Sequence, residues 1–379
     1  VQTCALPIYQ AQVQKHLQQR SAMKEVIKNS NQNRAKIQSF SDRKEALKDA
    51  NFVINAIQVG GYKPSTVIDF EIPKKYGLQQ TIGDTTGIGG IFRGLRTLPV
   101  MFDIAKDMEE VCPDAWLLNY TNPMAILTMG MLKATKIKTV GLCHSVQVCV
   151  PELFEHLGIK DQYNLDEFQW KIAGINHMAW LLEINRNGKD FYPEIRRLAS
   201  TIADPHKDSV RFELMKHFGY YVTESSEHNA EYNPLFIKSR YPELIEQFNI
   251  PLDEYPRRCE RQIADWAEEL QRIETQHDIE IKQSREYAAS IINSLATGEP
   301  SVIYGNVLNK GLIDNLPADC AVEVACLVDH NGVQPVKFGT VHPQLAALIR
   351  TNINVQQLTV EALITENPEY IYHAAYLDP

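Results

Sequence analysis

The chain has 379 residues, with 38 Lys and Arg against 47 Asp and Glu, a net charge of −9. That length sets a prior of roughly two to three domains and is long enough to bury a core without staples, while the acidic balance speaks against nucleic acid as a partner. With 44% hydrophobic and 22% charged residues, no apolar run of membrane-span length and no recognisable secretory leader, a cytoplasmic protein with no membrane partner is expected. Seven scattered cysteines without a CxxC pair fit a reducing compartment rather than a disulfide framework.

In chain order, residues 9–30 have the spacing of a polar helix, and their positive charges read as a solvated face. Lys36–Phe40 is a short strand candidate, and Asp42 followed by Glu45 marks the start of a helix over 43–49. The apolar run Phe52–Ile57 has buried-strand length and stops at Gly60-Gly61. Residues 81–94 are rich in glycine and read as a flexible active-site loop, leading into a helix over about 95–110. A strand over 115–118, a helix over 124–134 and a strand over 138–142 follow. Such alternation of short apolar strands with helices is the signature of a parallel α/β sheet. Ligands bind beyond the carboxyl ends of such strands. Asn55, the stretch Asn119–Asn122 and Cys143-His144 all fall there, so they should share one crevice.

Beyond residue 147 the pattern changes to a helix over 147–157, a strand over 168–174 that runs into Asn176-His177, helical stretches over 207–217 and 259–296, and a mixed region to 343. GxGxxG, Walker A, HExxH and GxSxG motifs are all absent. The sharpest chemical signal is Cys143-His144 at one strand end with His177 after another. A thiolate and an imidazole can hold a divalent metal with open positions, although a buried cysteine packed as a small hydrophobe and a structural histidine fit the same pattern.

Long ordered motifs run through most of the chain: NFVINAIQVGG (51–61), QTIGDTTGIGGIFRGLRTLPV (80–100), DAWLLNYTNPM (114–124), VGLCHSV (140–146), GINHMAW (174–180) and YYVTESSEHNAEYNPLF (220–236). Together they resemble the NAD- and manganese-dependent glycosidases of glycoside hydrolase family 4, from about residue 40 to the end. The resemblance implies an α/β fold of the lactate/malate dehydrogenase type: an incomplete Rossmann-like, doubly wound parallel sheet over residues 1–146, which binds NAD, and an α+β catalytic, substrate- and metal-binding part over 147–379. The family departs from the two-carboxylate glycosidase scheme. As the resemblance implies, NAD takes a hydride from C3 of the sugar, a base removes the C2 proton, the glycosidic oxygen is eliminated, water adds and the hydride returns. Cys143 and His177 match the metal ligands, His144 the proton donor and Tyr232 the base, with Glu231 and Asp84 as competitors for that role. Asn122, Asn119 and Arg93 match substrate contacts. Asn55, Ala56, Ile57 and Asn119 match cofactor contacts.

Within the family, Cys143-His144-Ser145-Val146 looks like the form found in melibiase-type members that act on α-galactosides. Members acting on 6-phosphosugars place an arginine near the position of Thr66, which implies an unphosphorylated substrate here. A homodimer or homotetramer is expected. The segment Ser284-Arg285-Glu286-Tyr287 is also family-like, without an assigned role. Residues 1–9 do not resemble the family's opening strand and glycine-rich phosphate turn, and Tyr370–Leu377 resembles the start of a longer helical region. The chain therefore reads as truncated at both ends, and without the anion-binding turn NAD affinity should collapse. Alternatives are a family 4 α-glucosidase or uronidase, a 2-hydroxyacid dehydrogenase-like oxidoreductase, and a non-catalytic remnant.

Overall fold

The computed structural model describes residues 38–203, 206–275 and 286–379. The expected helix over 9–30, the opening residues 1–9, Lys36, and Ser284 with Arg285 lie outside them. Residues 38–40 form no strand.

The elements are α1 (Arg43–Leu47), β1 (Phe52–Asn55), α2 (Val67–Lys74), α3 (Gly87–Val111), β2 (Trp116–Asn119), α4 (Met124–Ala134), β3 (Lys138–Gly141), α5 (Ser145–His156), β4 (Phe168–Ile175), β5 (Met178–Arg186), β6 (Lys189–Asp190), α6 (Tyr192–Ala199), α7 (Ser209–Phe218), β7 (Tyr221–Val222), α8 (Ser226–Glu231), α9 (Glu243–Gln247), α10 (Glu254–Thr275), α11 (Ala288–Thr297), β8 (Ser301–Leu308), β9 (Ala321–Asp329), β10 (Gly332–Pro335), α12 (Pro343–Ile364) and α13 (Glu369–Tyr376). The chain divides into two compact units, residues 1–48 with 257–285, and residues 49–256 with 286–379. In the smaller unit, the Asp42 carboxylate caps α1 by accepting from the backbone N–H of Lys44 at 2.7 Å and of Glu45 at 3.2 Å, the partner set an N-cap acid is built to satisfy.

The larger unit is organised by one ten-stranded sheet in the order β1-β2-β3-β8-β9-β4-β5-β6, with β10 on β9 and β7 on β5. The first three strands are parallel, with Asn55 in register with Asn119 and Asn119 with Gly141. From β3 onward the pairing is antiparallel, joined at Gly141–Asn306 and at Gly174–Glu323. The α/β reading holds, and one sheet carries both the parallel strands β1–β3 and the antiparallel strands beyond them. Among the described strands β1 lies at the edge and Ile54 is exposed, so the run Phe52–Ile57 is an edge strand rather than the fully buried strand its composition suggests.

Helix α4 is apolar all round, and Met124–Met131 are all buried, as a helix without a polar face must be. It packs with α3 and α12. A second core gathers Val150, Leu153, Phe154, Phe168, Phe191 and Tyr221. There Phe168 meets Phe154 and Phe191 edge-on at 5.0 Å, the arrangement that the ring quadrupoles favour.

The glycine run overturns the expectation of a flexible loop at 81–94. Gly87, Gly89, Gly90 and Gly94 are helical residues of α3. A Cβ on Gly89 would stand 2.5 Å from the Gly83 carbonyl oxygen, and one on Gly90 2.8 Å from the Thr85 carbonyl carbon. The missing side chains thus let the helix start lie directly against the backbone of 83–85, the segment that carries Asp84 and Thr85.

A buried charge network braces the segment 221–232. Asp208 is 0% and Arg211 1% exposed, and their side chains are ion-paired. Asp208 also accepts from the Tyr221 hydroxyl and from Ser226 Oγ at 3.1 Å, and it lies 3.0 Å from His156 Nδ1. Burial alone would raise the Asp208 pKa, but Arg211 and His156 outweigh it and hold the carboxyl below its ordinary value. The network joins β7 to the first residue of α8, and α8 leads into Tyr232.

Candidate active site

Three strand ends and one hairpin converge. Cys143 follows β3 and is buried. His177 occupies the two-residue turn between β4 and β5, where Ile175 pairs with Met178. The turn requires positive φ, and His177 adopts φ 64°. A non-glycine residue there is strained, and that geometry points its 4%-exposed ring inward. After β7, Glu224 also takes positive φ, 65°. The donor atoms of Cys143, His177 and Glu224 lie within 4.8 Å of one another. A second group, Asp84, His177 and His228, shares the same imidazole within the same distance.

Hydrogen bonds fix this cluster. His177 Nδ1 lies 2.9 Å from the Thr85 hydroxyl and 3.1 Å from the Tyr232 hydroxyl, and its Nε2 is 3.8 Å from Glu224. Thr85 also donates to Asp84, which accepts from Asn122 Nδ2 at 3.0 Å. Arg93 Nε donates to the Asn122 carbonyl at 3.2 Å, and Arg93 Nη1 donates to the Tyr255 hydroxyl at 3.1 Å. Arg93 is thus buried behind the Asn122 loop. His228 Nδ1 stands 3.3 Å from Glu224. Burial pushes Asp84 up, but Arg93, His228 and His177 outweigh it and hold its carboxyl low. The same opposition, between burial and the three histidines His228, His177 and His144, keeps Glu224 low.

Burial, reinforced by Asp84 and Glu231, drives the Tyr232 hydroxyl well above its ordinary value. Burial with Glu323 and Glu224 does the same to the Cys143 thiol. Glu231 accepts from the backbone N–H of Thr81 at 2.8 Å, Ile82 at 3.3 Å and Gly83 at 2.8 Å. Both its oxygens are taken, so its geometry is that of a brace for the Thr81–Gly83 backbone, and Asp84, held by Thr85 and Asn122, is likewise engaged. His144 is half-exposed, with Nδ1 3.7 Å from Glu286.

At the ends of β1 and β2, the Asn55 amide donates to Asn119 Oδ1 at 2.7 Å and to Thr121 Oγ1 at 3.1 Å. The Ile57 carbonyl accepts from Thr121 Oγ1 at 3.1 Å. Asn119 is 0% exposed, whereas Ala56 is exposed and Ile57 half-buried. Thr66 is buried and accepts from Gln58.

Sequence reasoning singled out Cys143, His177 and Tyr232, which the fold brings together, and missed Glu224, His228 and Thr85 beside them. Glu224 and His228 were legible as a Glu-x-x-x-His pair in TESSEHNAEY. Deep behind the cluster, Glu323 on β9 is 0% exposed and accepts from Asn306 at 3.1 Å, and burial lifts its pKa to about 7.

A Rossmann-like sheet whose strand ends surround a buried thiol and imidazole and a partly buried carboxylate defines a class, and comparison with known proteins gives it a name. The Family 4 glycosyl hydrolase model matches residues 3–159, and the Family 4 glycosyl hydrolase C-terminal domain model matches residues 172–379. The chain belongs to glycosyl hydrolase family 4 and is a glycosidase, as the sequence resemblance implied. It is 58% identical over 366 residues to the alpha-galactosidase of Bacillus subtilis (strain 168), spanning 96% of this chain and 84% of that protein. It is 34% identical to the alpha-galactosidase of Rhizobium meliloti (strain 1021), over 93% of this chain and 73% of that one. In structure it is similar to 6-phospho-beta glucosidase from Thermotoga maritima, solved with manganese, NAD+ and glucose-6-phosphate, at TM-score 0.75 and 22% identity over 97% of this chain and 84% of that one. Among the described residues, no helix is long and apolar enough to cross a membrane, and six cysteines are free.

Proposed function

We propose that this glycosidase hydrolyses unphosphorylated α-galactosides with NAD and a divalent manganese ion as its working cofactors, as a homodimer or homotetramer in the cytoplasm. The observation that carries the reading is the convergence of the Cys143, His177 and Glu224 donor atoms within 4.8 Å beside the Tyr232 hydroxyl. The galactoside preference is supported by the 58% identity to an alpha-galactosidase and by the Cys143-His144-Ser145-Val146 stretch.

The donor set fits a divalent cation. It combines a thiol, an imidazole and a carboxylate, a mixture suited to first-row metals. Burial, with Glu323 and Glu224 beside it, pushes the Cys143 thiol well above its ordinary value, and a cation would reverse that bias by favouring the thiolate. Cys143 and His177, with Glu224, would hold the metal. Asn55 spends its NH2 group on Asn119 Oδ1 and Asn119 spends its own on the Thr121 carbonyl, so with these two amides fixed the exposed lip at Ala56 and the backbone through Ile57 would face NAD. We read residues 1–146 as the NAD-binding part and 147–379 as the catalytic part. When bound, NAD would supply a hydride acceptor and donor, and the metal would supply a Lewis acid toward sugar oxygens.

In this reading Tyr232, as the tyrosinate that a nearby cation would favour, removes the C2 proton, its oxygen held in place by the 3.1 Å contact with His177 Nδ1. His144, at the open side, gives a proton to the leaving oxygen. Asn122 offers its amide to sugar hydroxyls, with Arg93 and Asn119 holding its loop in place.

The test is a turnover assay on 4-nitrophenyl α-galactoside and its α-glucoside counterpart. Galactose release should require both Mn²⁺ and NAD, accumulate no net NADH and exceed the α-glucoside rate. Net NADH formation would favour a dehydrogenase, and equal rates on the two sugars would overturn the galactoside reading.

A further inference from the structure

We propose that Glu286 is a positioning residue for His144, held opposite it by Tyr287. The proposal rests on the reading of His144 as proton donor to the leaving oxygen, and it gives a role to the family-like segment that the sequence left unassigned.

The placement of Glu286 is built into the fold. The Tyr287 ring is buried. Its hydroxyl accepts from the backbone N–H of Cys143 at 3.0 Å and lies 3.0 Å from the carbonyl oxygens of Cys143 and Tyr304. The next backbone N–H, that of Ala288, donates to the Tyr120 hydroxyl at 3.2 Å. The Tyr120 and Tyr287 rings meet edge-on at 6.5 Å. Residues 287 and 288 are therefore fastened to the ends of β2 and β3. Glu286 is the residue immediately before this anchor, and His144 immediately follows the cysteine that receives it. The outcome is a carboxylate oxygen 3.7 Å from His144 Nδ1, both side chains about half-exposed.

Which imidazole nitrogen presents the transferable proton is set by the partner that the other nitrogen faces. With Nδ1 facing Glu286, Nε2 is left to face the leaving oxygen. The 3.7 Å separation is loose, as catalytic contacts without substrate often are. An exposed ion pair alone contributes little to stability. The fixed backbone around Tyr287 is what separates this pair from an incidental surface contact.

The experiment uses the full chain with Mn²⁺ and NAD, and two substrates with the same sugar: melibiose, whose leaving alkoxide needs a proton, and 4-nitrophenyl α-galactoside, whose phenolate departs without one. Wild type, Glu286→Gln, His144→Asn and the double variant are compared for kcat, KM and thermal midpoint. Glu286→Gln should lose about tenfold in kcat on melibiose and at most about twofold on the aryl substrate, out of the larger factor a general acid supplies. Its KM and midpoint should be unchanged. The double variant should be no slower than His144→Asn, because the two residues act as one unit. Equal losses on both substrates in Glu286→Gln, no loss at all, or losses that multiply in the double variant would overturn the proposal while leaving His144 as the donor. If His144→Asn itself slows both substrates equally, the donor reading fails and this inference falls with it.

Discussion

His177 and Tyr232 meet through a 3.1 Å hydrogen bond, with their rings near parallel at 11°. One imidazole therefore touches the candidate base through Nδ1 and faces Glu224 through Nε2, so the proposed base and the proposed cation donors are mechanically one piece. Replacing Tyr232 with Phe should keep that piece folded, because the ring stays and only the hydroxyl goes. We expect kcat to fall by about 100-fold or more, with Mn²⁺ affinity measured by electron paramagnetic resonance within about threefold of wild type. An unchanged kcat would remove Tyr232 from the base role.

The acid–base response of stability should be set in part by Glu323. Its folded pKa is about 7, above the ordinary value near 4.3. Below the lower value both states are protonated, and the folded state gains the full benefit. As pH rises from there through 7 the unfolded state gives up its proton first, so stability falls. The loss is on the order of 3 kcal/mol at 1.36 kcal/mol per pKa unit. In chelator-treated protein, unfolding by urea between pH 5 and 8 should show this decline, and Glu323→Gln should flatten it. A variant with the same slope as wild type would assign the decline elsewhere.

Gly89→Ala is expected to cost about 1–3 kcal/mol, the range for overpacking. Its new methyl would stand 2.5 Å from a backbone oxygen, not from a side chain that can turn aside. The displaced backbone carries Asp84 and Thr85, so activity should fall together with the denaturation midpoint. Gly77→Ala is a useful contrast for crowding, since nothing lies within 4 Å of its Cβ position. Its φ of +78° makes that change a measure of backbone strain alone.

Asp208→Asn should be among the most damaging changes away from the cluster. It leaves Arg211, 1% exposed, without its buried partner and with the partly exposed Glu152 at 3.8 Å as its remaining carboxylate, and breaking a buried pair from one side costs about 3–5 kcal/mol. Chemical denaturation would show a lowered midpoint. One of the two oxygens that serve Arg211, Ser226, Tyr221 and His156 also becomes an NH2 group, so a shift under about 1 kcal/mol would contradict the bracing role.

The helices and strands with a strong apolar pattern were readable from the chain. Helix α4 spans Met124–Ala134, the range expected for it, and β2 and β3 lie within one residue of expectation. Cys143 and His177 were legible because strand ends are where α/β sheets put their chemistry. The glycine run was misread for a physical reason. Glycine ordinarily interrupts helices, and it is the approach of the 83–85 backbone to Gly89 and Gly90, and of Ile126 and Thr359 to Gly94, that excludes side chains at these positions inside α3. Glu224 and His228 were in view as residue types, but which imidazole they would face depends on β7 pairing with β5, a long-range choice that local spacing does not encode. The exposure of β1 depends in the same way on its place in the sheet.

The distances along the chain between the groups that touch have a kinetic meaning. Thr85 reaches His177 across 92 positions, and Gly83 reaches Glu231 across 148. Loop-closure entropy must be met before such contacts form. On refolding, helical circular dichroism should therefore return ahead of turnover, and the delay between the two signals would time the closing of the 81–85 segment onto α8.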